Sequence, residues 1–137
     1  MKIFVLLSRF PYPLEKGDKL RAYHQIKELS KNHEIHLCCL TDQTVKEEWK
    51  KEVGQFCESL NVFKLSKASI FWNTGLKTFS HKPFQVGYFY HSGINRQIQQ
   101  KIKEIQPDHI YCQLIRTAEY VKDIHNIPKT IDFQDAL

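Results

Sequence analysis

Along this chain, apolar positions alternate between unbroken runs and a spacing of three or four. Lys2–Leu7, KIFVLL, is apolar after its first residue, the pattern of a strand covered on both faces. Lys19–Asn32 follows with Leu20, Tyr23, Ile26 and Leu29 at helical spacing. Glu34–Leu40, EIHLCCL, reads as a second strand. Thr44 opens a predicted helix carrying Val45, Trp49, Val53 and Phe56, and Thr44-Val45-Lys46-Glu47 has the hydroxyl and glutamate of a capping box. Asn61–Leu65 predicts a short third strand, and Ala68–Phe79 a short helix before a turn near Pro83. Ser92–Gln106 sets Ile94, Ile98, Ile102 and Ile105 on one stripe and stops at Pro107. Asp108–Cys112 is a fourth strand, Thr117–Ile124 a helix and Lys129–Phe133 a fifth strand.

Strand and helix alternate throughout with short links. That pattern predicts an α/β fold with a Rossmann-like parallel sheet and helices on both faces, joined by right-handed crossovers. The expected strand order is 3-2-1-4-5. Only four residues follow the fifth strand and no closing helix is present, which suggests a fragment cut from a longer protein.

Composition narrows the class. In 137 residues, 42% are hydrophobic and 26% charged, which fits one globular domain and not a disordered chain. No apolar run is long enough to span a bilayer. Arg9 interrupts the N-terminal run early and no small-residue cleavage site follows, so a strand is favoured over a signal peptide and the expected location is cytoplasmic. The four cysteines, Cys38, Cys39, Cys57 and Cys112, lack CxxC spacing and read as small buried hydrophobes in a reducing compartment. His33 and His36 straddle a predicted turn, so no metal site is expected. The formal net charge of +5 permits anionic partners without choosing among them. Basic residues are spread over several helices with acids interleaved, so nucleic acid is not the expected partner.

In open α/β sheets, ligands bind beyond the carboxyl ends of the strands, where the strand order reverses. The opening loop Ser8–Asp18 falls there, as do Gln113 to Arg116. Pro11 and Pro13 should make the loop stiff and extended. Gly17 can take a positive φ and admit a ligand close to the backbone, and Asp18 is a plausible N-cap. Lys16, Lys19 and Arg21 add positive charge beside free helix N–H groups. By residue type alone, an anion site and a merely capped helix start fit equally well. His24, one turn beyond Arg21, either faces the cleft or lies against the sheet. Gln113 and Arg116 either contact a polar ligand or form an ordinary polar loop. Asp132 and Asp135 flank the end of the fifth strand, as an acid–base pair or as solvated acids.

Lys67–His91 holds Phe71, Trp72, Phe79, Phe84, Tyr88, Phe89 and Tyr90. Two readings stand: core packing of short helices, or a peripheral contact of Ala68–Tyr90 with the inner face of a membrane or a lipid-linked acceptor.

The stretch LLSRFPYPLEKGDKLRAYHQIKELSKNHEIHLCCLTD closely resembles the opening of bacterial glycosyltransferases with the GT-B fold. It is most similar to exopolysaccharide-associated sugar transferases of the large retaining family. The R-x-P-Y-P-x-x-K-G-D-K-x-R element is present as Arg9, Pro11, Tyr12, Pro13, Lys16, Gly17, Asp18, Lys19 and Arg21. Asp132, Phe133 and Asp135 resemble the family's D-F-x-D segment, and HKPFQVGYF a Pro-and-Tyr-Phe region. The resemblance implies the N-terminal, acceptor-side domain of a two-domain enzyme in polysaccharide biosynthesis. Its own C-terminal domain, holding the nucleotide-sugar and an E-x7-E element, is not in this chain. The implied partners are a nucleotide-sugar and a glycan or lipid-linked acceptor, with no further cofactor and no metal. The isolated domain is expected to be inactive. Many retaining relatives carry a histidine after the fourth strand, but here that region reads Tyr111-Cys-Gln-Leu-Ile-Arg116, and the catalytic residues stay unassigned. The substrate-binding residues expected are Gly17, Asp18, Lys19, Arg21, His24, Gln113 and Arg116. The alternative is a stand-alone flavodoxin-like module that binds a nucleotide or a partner protein.

Overall fold

A computed structural model describes residues 1–14, 17–41, 43–64, 92–113 and 115–132. Their elements run β1 (Lys2–Leu7), α1 (Gly17–Leu29), β2 (Glu34–Thr41), α2 (Glu47–Gly54), β3 (Ser59–Lys64), α3 (Ser92–Ile105), β4 (His109–Gln113), α4 (Ile115–Ala118) and β5 (Lys129–Asp132). The five strands form one sheet in the order β3-β2-β1-β4-β5, and every pairing is parallel. The fold is therefore α/β and Rossmann-like, with the expected strand order.

β1 lies at the centre because its residues can be buried on both sides. Ile3 to Leu7 are all at most 6% exposed. Ile3, Val5 and Leu7 join Ala22, Tyr23 and Ile26 of α1 and Val53 of α2 in one core. Phe4 and Leu6 join Ile94, Ile98 and Ile102 of α3, with Tyr120 and Val121, in the other. Successive side chains of a strand point to opposite faces, so one short run anchors both layers. Burying each large side chain contributes about 1.5–3 kcal/mol. Register is fixed on both flanks: Lys2–Leu7 pairs with Glu34–Cys39, and Ile3–Leu6 with His109–Cys112.

α3 follows its isoleucine stripe closely. It stops where Gln106 takes a left-handed φ of 53°, its N–H reaching the Ile102 carbonyl at 2.9 Å, with Pro107 next. The other helices depart from the sequence reading. α1 begins at Gly17 and not at Lys19, and Leu20 is 41% exposed while Ala22 fills the inner face. α2 begins at Glu47 and not at Thr44, and no side chain caps it. The capping-box hydroxyl is diverted, because Thr44 Oγ1 accepts a hydrogen bond from Lys64 Nζ at 3.1 Å. The helix expected over Thr117–Ile124 is a single turn followed by hydrogen-bonded turns. Thr117 Oγ1 donates back to the Gln113 carbonyl at 2.9 Å and ties that turn to the end of β4.

Three cysteines, Cys38, Cys39 and Cys112, are buried and Cys57 is half-buried. Burial pushes the Cys38 and Cys112 thiols up to about 12. They therefore behave as small hydrophobes. His36, also buried, is satisfied by Ser59 Oγ at 2.7 Å and Glu34 Oε2 at 2.9 Å. Among the described residues no helix is long and apolar enough to cross a membrane. The expected helix Ala68–Phe79 and the aromatic segment around it lie outside the described residues.

If α3 is the principal cover of its sheet face, Ile98→Ala should cost about 2–5 kcal/mol by cavity formation. The exposed neighbour Arg96→Ala should change stability by less than about 0.5 kcal/mol. Urea unfolding of the two variants against the parent chain measures both.

Candidate functional site

The loop after β1 is held down before it reaches α1. Ser8 and Phe10 are buried, and Phe10 packs into the α1-side core. The Tyr12 ring lies 6.1 Å from that of Tyr23, and the Tyr12–Pro13 peptide is cis. The two prolines expected to stiffen the loop thus sit in a segment that is also packed.

β2 ends beside it. Thr41 Oγ1 accepts from the Gln43 N–H at 3.1 Å and faces the Gln43 carbonyl at 3.3 Å. This hydroxyl-stabilised turn brings the chain back toward β1. Between the two loops, above the carboxyl ends of β1 and β2, lies a cleft of about 170 Å³. Ser8, Arg9 and Tyr12 form one wall and Thr41, Gln43 and Thr44 the other. Lys19 of α1 and Trp49 of α2 close its ends, the lysine half-buried. The walls combine hydroxyls, an amide, cations and aromatic surface.

On its opposite flank α1 is tied to β4 and β5 by a polar network. Arg21 Nε lies 3.1 Å from Asp132 Oδ2. The Tyr111 hydroxyl is 3.0 Å from the same carboxylate oxygen and 2.8 Å from the Gln25 amide. A phenol has one proton, so Gln25 Oε1 and Asp132 Oδ2 compete to accept it. Burial and the Asp132 carboxylate push the Tyr111 hydroxyl up to about 12. Arg21 is 49% exposed, so its ion pair contributes about 0–1 kcal/mol. Asp132 is only 11% exposed, and its removal would take an acceptor from both the Tyr111 phenol and the Arg21 guanidinium.

The expected site residues are therefore divided and not gathered. Lys19 lines the cleft, whereas Arg21 turns to the β5 side and is held by Asp132. Gln113 is buried at the end of β4, at 2% exposure. His24 is exposed and its ring meets Tyr23 edge-on at 5.4 Å. Gly17 opens α1 without a positive φ, and a Cβ placed on it would meet nothing within 4 Å. Its conformational freedom is not used, which corrects the reason for singling it out. Asp18 lies inside α1, so it is not the N-cap. The side chains of Asp18 and Arg116, and Lys16 and Asp135 entirely, lie outside the described residues. Asp132 is engaged in a network and does not stand as half of a solvated acid pair. Among the described residues no group of three or more His, Cys, Asp or Glu side chains could hold a metal ion.

Sequence reasoning missed Thr41, Gln43, Thr44 and Trp49. It looked to the switch point between β1 and β4, while the cleft lies between β1 and β2. The available signal was the polar TDQT stretch, residues 41–44, at the carboxyl end of the second strand.

No protein-family model matches this sequence, and comparison with the curated proteins finds no match.

Two outcomes follow from this geometry. Gly17→Ala should leave stability unchanged or raise it by about 0.4–1 kcal/mol, because the backbone already suits alanine and the space is open; thermal unfolding measures it. Asp132→Asn should cost about 1–3 kcal/mol and bring the Tyr111 hydroxyl down from about 12 toward its ordinary 10.0. In the parent chain the folded state holds that proton more tightly than the unfolded one. The stability it contributes is thus complete below pH 10 and lost as pH rises from 10 toward 12. Spectrophotometric titration of the phenol with denaturation across that window reads both effects.

Proposed function

We propose that this chain is the acceptor-side, N-terminal domain of a GT-B glycosyltransferase, which transfers a sugar from a nucleotide-sugar to a glycan or lipid-linked acceptor. The observation that carries this reading is the cleft over the carboxyl ends of β1 and β2, walled by Ser8, Thr41, Gln43 and Thr44 with Lys19 and Trp49 at its ends. Hydroxyl and amide groups match sugar hydroxyls, and aromatic surface matches the apolar face of a pyranose ring. The R-x-P-Y-P-x-x-K-G-D-K-x-R element forms one wall of this cleft through Arg9 and Tyr12 and reaches its end at Lys19.

Size supports a division of labour between two domains. Pockets for drug-sized ligands are typically about 300–1,000 Å³. A cleft of about 170 Å³ is on the scale of one sugar ring, and in this reading the nucleotide is held by another domain. In the reaction the sugar's anomeric carbon–oxygen bond to the diphosphate breaks and a bond to an acceptor hydroxyl oxygen forms. The acceptor proton is released and the nucleoside diphosphate leaves. The departing diphosphate is stabilised by cations and oriented N–H donors. In this reading Lys19, which lines the cleft, is this domain's cation.

The test is an assay of the protein translated from the complete reading frame, using labelled nucleotide-sugars and a membrane extract as acceptor. The expected result is transfer of label to a lipid- or polymer-bound product. Trp49→Ala should reduce that transfer at least about tenfold, the scale of about 1.4 kcal/mol in transition-state binding. A reading frame that stops near Leu137, or a full-length product that consumes no nucleotide-sugar, would overturn the proposal.

A further inference from the structure

Tyr23 does not line the cleft, yet it touches both elements that supply the cleft's aromatic surfaces. Its ring lies 6.1 Å from that of Tyr12, in the loop after β1, with the planes inclined at 43°. Its hydroxyl donates to Glu52 Oε1 of α2 at 2.8 Å. Phe56, just past the end of α2, meets the same ring edge-on at 5.6 Å. Tyr23 itself is only 8% exposed and belongs to the α1-side core, so its packing fixes where it stands. Residues three apart on a helix are neighbours on its surface, which puts Glu52 beside Trp49 at the end of the cleft.

α2 is lightly anchored for an element that carries a cleft surface. It has eight residues, Val53 is the one buried among them, and no side chain caps its start. The apolar contacts of Val53 and the half-buried Trp49 hold it against the core but have no direction of their own. A hydrogen bond from a buried phenol to a carboxylate is charge-assisted and directional, and fixes how the helix is turned. We propose that Tyr23 and Glu52 are positioning residues: their hydrogen bond sets the separation of Tyr12 and Trp49, and with it how tightly the cleft grips a sugar ring. The sugar rests on the transferase reading above, and the positioning rests on these contacts. Contact atoms drawn apart by about 0.5–1 Å lose a quarter to a half of their attraction, so a small shift of α2 is felt in affinity.

The experiment compares NMR spectra of the 137-residue chain, and its titration with glucose 1-phosphate, across four variants. Tyr23→Phe keeps the ring and removes the hydroxyl. Glu52→Ala removes the acceptor, and Glu52→Gln restores a neutral one. Ile98→Ala, in the core on the other face of the sheet, is the control for lost stability. The Trp49 indole reports on Tyr23→Phe and the Tyr12 ring on Glu52→Ala, each lying across the hydrogen bond from the substitution. Both resonances should move, and affinity should fall about three- to tenfold, the scale of one hydrogen bond. Glu52→Gln should keep affinity within about twofold of the parent. Ile98→Ala should leave Trp49, Tyr12 and affinity unmoved while unfolding earlier in urea.

Reporter resonances unmoved in both Tyr23→Phe and Glu52→Ala would overturn the inference, as would an Ile98→Ala variant that moves them equally. Resonances that move with affinity unchanged would overturn the link to binding. Glu52→Gln failing as far as Glu52→Ala would overturn the hydrogen bond as the connection. A parent chain that does not bind glucose 1-phosphate overturns the sugar reading of the cleft, and the positioning is then decided by the two resonances alone. Unmoved reporters in an enzyme that still transfers sugar sink this inference and leave the transferase reading standing.

Discussion

Every strand inside a parallel sheet has to be covered on two faces, and in this protein β1 carries most of that requirement. Ile3, Val5 and Leu7 serve one core while Phe4 and Leu6 serve the other. β1 also separates the chain's two directions of growth, with β2 and β3 laid down on one side and β4 and β5 on the other. The loops leaving β1 and β2 rise together over the carboxyl edge as a result. The cleft is a consequence of that arrangement before any residue in it is chosen.

Helix α1 then sets what the cleft contains. Its inner face, Ala22, Tyr23 and Ile26, is fixed against the sheet by burial. Residues two apart on a helix project in nearly opposite directions, so Lys19 and Arg21 fall on opposite flanks. Lys19 meets the β2 side and the cleft, while Arg21 and Gln25 meet Asp132 and Tyr111 on the β4–β5 side. The basic cluster that looks like one unit in the sequence is split by the helix that bears it. Arg21 pairs with Asp132, and Lys19 lines the cleft.

How much of this was legible follows from the range of each interaction. β1 and α3 were readable to within a residue, because a continuous apolar run and an isoleucine stripe are local patterns with one structural solution. The start of α2 was not, because the Thr44 hydroxyl that should have capped it is claimed by Lys64 on β3, a contact that only the folded sheet creates. The turn over residues 115–118 ended early for a similar reason, with Thr117 bonding back to Gln113. Of the residues that line the cleft, the loop after β1 and Lys19 stand out by residue type alone. The β2 wall and the binding of Arg21 by Asp132 depend on strand register and could not be seen before it was known.

The central claim is that the cleft between the β1 and β2 loops, and no other surface of this domain, receives the sugar. A second groove, apolar and of about 430 Å³, runs beside α1 past Ile3, Leu29, His109 and Thr130 and offers a direct competitor. Amide chemical-shift mapping of the chain titrated with a glycosyl phosphate decides between them. The account predicts shifts concentrated at Ser8–Phe10, Gly17–Lys19 and Gln43–Val45, with Trp49 following. Shifts centred on His109, Tyr111 and Thr130, with residues 8–10 and 43–45 unmoved, would contradict it.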